Sequence, residues 1–374
     1  MKTPIFYQTS PYIVVQQNGR NHNIYSVMDD TEVPISIQEI KLLSRFKDPQ
    51  VLTRVQPEFE RQIVYRAIEN GWLLRTDEIW HQTNMTYLAI AVNSHCNWRC
   101  EYCPVHDQPA APSYMNRDDF ERILENVSRN KSLRYVALNV FNEPLLDKYF
   151  ADRIRLLHSY GLRLMLNTNA SHLEESVLRL LSEYQIVEKL LINFPSPEQK
   201  EFYRMTGYRH LDRVMKNIQT AINLNFPCEI AVNGTHEDRI KAYPVIQRLW
   251  GENQNVIITD YSSVDRAGNL QNQYLLNIYN KKLYGCRQII RWLHVGIHGE
   301  VFTCSMDFHK ENIYGNALEE DIADIINGHK AISLRRKIFG ADQADTQFIC
   351  RRCLDMKSAK INLGSTMIIR PNLI

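Results

Sequence analysis

The stretch Cys96-Asn97-Trp98-Arg99-Cys100-Glu101-Tyr102-Cys103 puts three thiols into one short loop with the spacing CxxxCxxC. Three thiolates so close in sequence are enough to hold three corners of a four-iron cluster, and they leave the fourth iron without a protein ligand. An iron with an open position is a place to do chemistry. Cysteine sulfur is a soft ligand that suits iron-sulfur clusters and zinc alike. The zinc reading needs a fourth ligand, for which His95 and His106 are near, although structural zinc sites usually close as two separated pairs. Spacing alone leaves both metals open.

The surrounding pattern limits the fold further. The apolar run 87–92 ends at the cysteine loop, as a buried parallel strand would. Phe120, Ile123, Leu124 and Val127 then repeat at helical spacing, with Asn116 placed to cap three residues before Asp119. Strand patterns follow at 135–140, 162–166, 189–192, 229–232 and 256–259, separated by helical patterns that include 148–159, 174–183 and 211–224. Six strands with interposed helices predict an α/β fold on a parallel sheet, with ligands gathered at the carboxyl ends of the strands.

Taken in order, these elements resemble the radical S-adenosylmethionine (radical SAM) superfamily. The loop is similar to the family signature down to the aromatic Tyr102 before the last cysteine. Phe141-Asn142-Glu143-Pro144 resembles the Gly-Gly-Glu-Pro turn whose backbone receives the SAM amino group, with both glycines replaced. Asn tolerates positive φ and Phe does not, so a locally different backbone path is expected there. Asn167-Thr168-Asn169-Ala170 resembles a Thr-Asn-Gly strand ending. Asn193 stands where relatives often carry a serine that bonds SAM, and Arg204 matches an arginine that commonly meets the SAM carboxylate. Read without the family, Asn169 is equally a turn residue and Arg204 a solvated helix charge. Asp265-Arg266-Ala267-Gly268-Asn269 resembles an Arg-x-Gly loop of the same enzymes.

The resemblance implies an open (β/α)6 partial barrel over residues 86–270, with a four-iron, four-sulfur cluster on Cys96, Cys100 and Cys103. It also implies SAM contacts from Tyr102, Asn142, Glu143, Pro144, Asn169, Asn193 and Arg204. In that family SAM chelates the open iron, and a 5'-deoxyadenosyl radical removes hydrogen from the substrate. An electron donor such as flavodoxin or ferredoxin is then expected.

A second cysteine set lies at 271–374. Cys286 precedes a hairpin pattern over 292–301, followed by Cys304, a helical stretch near 317–327 and the pair Cys350 and Cys353. Four cysteines close one metal site, and the CxxC half is as common in zinc proteins. The order resembles the twitch domain, a shortened SPASM extension, which implies one auxiliary four-iron, four-sulfur cluster. Arg287, Arg291, Arg335, Arg336, Arg351 and Arg352 lie nearby, to receive an acidic peptide or to solvate the surface.

Residues 1–85 read as two strands joined by a turn at Gly19 and then small helices around 37–46 and 59–70, a winged-helix-like outline. It resembles the leader-peptide recognition domains of radical SAM enzymes that modify ribosomally made peptides, which add the leader as an extra strand. A small structural cap on the barrel is the alternative. Cys228 is the one thiol outside both sets, either a small buried hydrophobe or a hydrogen-atom donor to a substrate radical. Asp260, Tyr261, His236 and Asp265 are further proton-transfer candidates at strand ends.

The expected function is hydrogen abstraction from a carbon centre of a precursor peptide, giving a crosslink or an inverted stereocentre. A dehydrogenase or rearrangement enzyme acting on a sugar or aminocyclitol is the runner-up. A zinc-stabilised binding module without catalysis is the alternative from another class. With a formal charge of +2 there is no basic field for nucleic acid. No 18-residue apolar run or secretion signal is evident, so a cytoplasmic location is expected.

Overall fold

A computed structural model describes residues 4–18, 21–52, 58–107, 111–270, 283, 285–353 and 367–369. The turn expected at Gly19 lies outside them, as does the side chain of His106. Chain contacts divide the protein into two units. One joins Met1–Asn84, Asn280–Arg291 and Ile326–Ile374; the other joins Met85–Tyr279 and Trp292–Ile325.

In the first unit β1 (Phe6–Thr9) precedes an antiparallel meander of β2 (Ile13–Asn18), β3 (Asn21–Ser26) and β4 (Thr31–Pro34). Helix α1 (Ile37–Arg45) starts where the Ser36 side chain accepts from the Glu39 N–H and the Glu39 carboxylate accepts from the Ser36 N–H. After β5 (Gln50–Val51) come α2 (Glu58–Glu69) and β6 (Leu73–Arg75), and β1 pairs with both short strands. Ile13, Val15, Ile24, Leu43, Ile63 and Trp72 are among the residues that make one apolar core under the meander. Two later pieces complete the unit. The strand Met367–Ile369 pairs with β2, and the helix His329–Ile338 sends the fully buried Arg335 to the carbonyls of Trp80 and Ile326. The sheet therefore ends at β4 among the described residues.

The second unit is built on six parallel strands. These are β7 (Tyr87–Ile90), β8 (Tyr135–Ala137), β9 (Arg163–Thr168), β10 (Val187–Asn193), β11 (Cys228–Gly234) and β12 (Val256–Ser262), adjacent in sequence order. The helices between them are α3 (Arg117–Ser128), α4 (Phe150–Ser159), α5 (Glu175–Tyr184), α6 (Gln199–Thr206), α7 (Leu211–Asn223) and α8 (His236–Trp250). Asn116 caps α3 as expected, and Phe120, Ile123, Leu124 and Val127 form its buried face. The hairpin then continues the same sheet. Strand β13 (Trp292–Val295) runs parallel to β7, while β14 (Glu300–Phe302) and β15 (Ile313–Asn316) add antiparallel strands, followed by α9 (Ile322–Asn327). Among the described residues the sheet thus has nine strands in the order 12-11-10-9-8-7-13-14-15.

Paired residues of a parallel sheet share a face. Asn193 pairs with Ala231, Leu191 with Glu229, and Asn233 with Tyr261, so Lys189, Asn193, Glu229, Asn233, Thr259 and Tyr261 share one face. Ile192, Cys228, Ile230 and Val232 take the other, the side on which α8 packs.

Candidate active site

The cysteine loop leaves β7 and is pinned by the end of α6, the helix that follows β10. The N–H groups of Arg99 and Glu101 donate to the carbonyls of Thr206 (2.7 Å) and Met205 (3.0 Å), at the end of α6. Gly207 closes that helix at φ +67°, its Cα turned toward Arg99, where a Cβ would sit 3.3 Å from the Arg99 Cβ. Trp98 is buried against Phe202 and Tyr208, ring centroids 5.1 and 5.8 Å away.

Each thiol of the loop's buried side meets an amide. Asn169 Nδ2 lies 3.7 Å from Cys96 Sγ, and Asn193 Nδ2 lies 3.9 Å from Cys100 Sγ. Burial pushes the Cys96 thiol up to about 12 and the Cys100 thiol well above its ordinary value, with mutual repulsion among the cysteines adding to both. The sulfurs are therefore protonated when alone, and a metal must displace the protons to bind. All eight cysteines are thiols, none in a disulfide. Among the described residues no three His, Cys, Asp or Glu side chains converge at single-ion spacing. The fit to a cluster rests on the donor chemistry: three soft ligands in one loop, with neutral amide donors aimed at two of them.

The turn after β8 packs on this loop. Glu143 donates its N–H to the His95 carbonyl (3.0 Å), and Asn93 Nδ2 donates to the Glu143 carbonyl (2.9 Å). Its buried carboxylate accepts from Leu145 N (3.1 Å), Asn169 N (2.8 Å) and Thr168 Oγ1 (2.7 Å). Burial nonetheless raises its pKa to about 7, the three donors opposing it. Pro144 opens a single 3-10 turn through Leu146. Neither Phe141 nor Asn142 has positive φ, so the turn is made without the left-handed conformation that glycine favours. Asn142 braces the turn instead, accepting from Val140 N and donating to the Leu138 carbonyl.

A chain of amides crosses the strand ends. The Tyr102 hydroxyl bonds the Asn193 side chain at 3.1 to 3.2 Å, and Asn193 Oδ1 accepts from Asn233 Nδ2 at 2.8 Å. Asn169 Nδ2 donates to Asn97 Oδ1 (2.9 Å), and Asn97 donates to Ser171 (2.8 Å). Asn97, Ser171 and Asn233 went unnoticed in the sequence because a lone Asn or Ser at a strand end looks like any turn residue. Further along the same face Glu229 accepts from Lys189 (2.6 Å), Thr259 (3.0 Å) and Tyr261 (3.1 Å).

Two further sequence candidates are Arg204 and Cys228. Each nitrogen of the Arg204 guanidinium meets a carboxylate, from Glu101, Glu201 and Asp238, so the side chain ties the cysteine loop to α6 and α8. Cys228 lies at the first residue of β11 on the face away from Asn193, 2% exposed, with its thiol raised to about 12 by burial alone. The structure does not bring it to the site. Of the proton-transfer candidates, Asp260 is ion-paired with Arg239, while Asp265 is buried in the loop after β12.

The second cysteine set divides between the units. Cys304 follows β14 and is buried; its sulfur accepts from Met306 N (3.4 Å). In the other unit Cys286 Sγ accepts from Gln288 N, and Cys350 and Cys353 sit on one short turn, Cys353 N donating to the Cys350 carbonyl. Several nearby arginines are engaged internally: Arg287 and Arg291 with Asp30, Arg336 with Asp342, and Arg351 with backbone carbonyls.

Residues 90–241 match the family model of the radical SAM superfamily. That stretch of the chain is similar to the radical SAM domain. Residues 286–354 match the SPASM model, an iron-sulfur cluster-binding domain. These matches support two four-iron, four-sulfur clusters and SAM chemistry over the zinc-binding module that spacing had left open. A probable GTP 3',8-cyclase of Pyrococcus horikoshii is 28% identical over 159 residues, 42% of this chain. The match spans about half the length of that relative. Among solved structures, BtrN in complex with AdoMet and 2-DOIA matches with TM-score 0.51 and 20% identity over 73% of this chain and 94% of BtrN. Streptococcus suis SuiB bound to precursor peptide SuiA matches with TM-score 0.56 and 13% identity over 87% of this chain and 90% of SuiB. No described helix is long and apolar enough to cross a membrane.

Proposed function

We propose that this radical SAM enzyme modifies a ribosomally made precursor peptide at a carbon centre. The observation that carries the reading is the first unit's exposed sheet edge. Strand β4 ends its sheet among the described residues, and beside it a groove of about 350 Å³ runs past Thr31, Val33, Glu69, Asn70 and Trp72. An extended peptide joins such an edge through main-chain hydrogen bonds, while side chains drop into the groove. The fold likeness to SuiB, a peptide-binding protein by its description, takes in 87% of this chain, against 73% for BtrN.

In this reading Cys96, Cys100 and Cys103 hold the first cluster, and the second belongs to the segment 286–354 that matches the SPASM model. When bound, the first cluster and SAM together supply hydrogen-atom abstraction from an unactivated carbon. The chain's own part is placement. The amides of Asn169 and Asn193 stabilise thiolates at Cys96 and Cys100, and Glu143 fixes the turn that faces the SAM amino group. Tyr102, Asn142 and Pro144 complete that wall, and Arg204 secures the loop through Glu101. Electrons come from a small reductant of the flavodoxin or ferredoxin kind.

A second reading is favoured by the curated relatives, which include GTP 3',8-cyclases: a small-molecule substrate inside the barrel. Short peptides encoded beside the gene, screened with anaerobically reconstituted enzyme, separate the two. The peptide reading expects one that stimulates SAM cleavage and slows amide exchange at residues 31–34. Stimulation by a nucleotide or aminocyclitol, with no response to any peptide, would overturn it.

A further inference from the structure

We propose that Phe141 is a positioning residue through which the Cys304 loop holds the SAM-facing turn in place. The proposal rests on the reading of Phe141-Asn142-Glu143-Pro144 as that turn. A Gly-Gly sequence offers no side chain by which a neighbour can grip it. Here the first of the two positions carries an aromatic ring, and the ring is in use. Phe141 meets Phe308 edge to face at 5.0 Å and lies nearly parallel to Phe302 at 6.1 Å. Both partners flank Cys304: Phe302 is fully buried on β14, and Phe308 stands in the loop beyond the cysteine.

That loop is itself held firmly. Asp307, fully buried, donates its N–H to the Cys304 carbonyl (3.0 Å), and its carboxylate accepts from the N–H groups of Glu311 (2.8 Å) and Asn312 (3.1 Å). Lys310 donates its N–H to the Asp307 carbonyl, and its ammonium lies 5.7 Å from the centre of the Phe302 ring while pairing with Glu300 (2.8 Å). A second grip comes from the loop after β12, where Asn269 Nδ2 donates to the carbonyls of Met306 (2.9 Å) and Arg266 (2.7 Å). The Cys304 loop therefore touches the loop after β12 through Asn269 and the turn after β8 through Phe141. Its displacement moves Phe308, then Phe141, then the backbone that leads directly into Glu143.

The test uses the full chain, reconstituted without oxygen, and reads the SAM dissociation constant by equilibrium dialysis. Loss of one aromatic partner in Phe141→Ala or Phe308→Ala is expected to weaken SAM binding about tenfold. Phe141→Leu, which keeps an apolar side chain, is expected to stay near wild type. Because the two rings act through one contact, the double variant is expected to bind no more weakly than Phe141→Ala. A second readout uses the metal-free protein: amide exchange at Leu145 and Leu146 is expected to quicken in Phe308→Ala at unchanged denaturation midpoint. Losses that multiply in the double variant, or a Phe308→Ala protein with wild-type SAM affinity and wild-type exchange, would overturn the proposal. Wild-type protein that binds no SAM would defeat the assignment of the turn instead, and the exchange comparison would still decide whether the Cys304 loop holds it.

Discussion

Glu143 is the residue on which the turn, the cysteine loop and the end of β9 all depend. Its carboxylate accepts three hydrogen bonds in a fully buried place, and its pKa of about 7 stands above the ordinary carboxylate value of 4.5. A folded-state pKa above the unfolded one means that the folded protein holds the proton more tightly. Stability from this group is therefore full below pH 4.5 and is lost as pH rises toward 7. Denaturant titrations of the metal-free protein across that window are expected to show the decline, and Glu143→Gln to remove it. The same variant places an NH2 group against the Asn169 N–H, at a cost of about 1–3 kcal/mol. Cys228 illustrates the opposite case. As the unclaimed thiol it invited a chemical role, but its face of β11 is a matter of register that sequence does not display. Cys228→Ala is expected to load iron and turn over like wild type, at a stability cost of about 1 kcal/mol. Turnover lost at full iron content would return Cys228 to the chemistry.

Among the elements, α4 does the most to brace the site. Its Arg153 is fully buried, donating to Asp147 at 2.9 Å and to the carbonyls of Met115 and Asn116, with its charge 4.5 Å from the Phe120 ring centre. Asp147 closes the Glu143-Pro144 turn, so one side chain ties α4 to that turn and to the start of α3. Removing one member of a buried pair leaves the other charged and dry. Arg153→Ala is expected to lower unfolding free energy by about 3–5 kcal/mol in denaturant titrations, and a loss below 1 kcal/mol would contradict this account. The six barrel strands were legible because each is an apolar run, and α3, α4, α5 and α7 because their apolar residues recur at helical spacing. Helix α8 was missed: Pro244 interrupts it, and Ala242, Ile246 and Trp250 are its buried residues. Strand β4 was missed because Thr-Glu-Val-Pro has no buried side to alternate. Its exposure is what makes it a candidate docking edge.

At the scale of the whole molecule, sequence order and spatial order part company after β12. The hairpin at 292–301, read in the sequence as part of the segment 271–374, extends the barrel sheet, because β13 pairs in parallel with β7. The strand Met367–Ile369 returns to β2 near the start of the chain, a pairing no local pattern announces. The amide chain from Tyr102 through Asn193 to Asn233 was half legible, since Tyr102 and Asn193 sit in recognisable motifs while Asn233 gains meaning only from its register beside Asn193. Cysteine spacing needs no tertiary context to suggest a ligand loop, which is why Cys96, Cys100 and Cys103 could be proposed at once, whereas the second set was proposed from its resemblance. The central claim is that these sets serve two separate four-iron centres. Iron and sulfide content of the anaerobically reconstituted protein, beside a variant with Cys96, Cys100 and Cys103 changed to Ala, tests it most directly. The account predicts about eight irons in the parent and about four in the variant. Four irons in the parent and none in the variant would remove the second centre, and no iron in either would contradict the account as a whole.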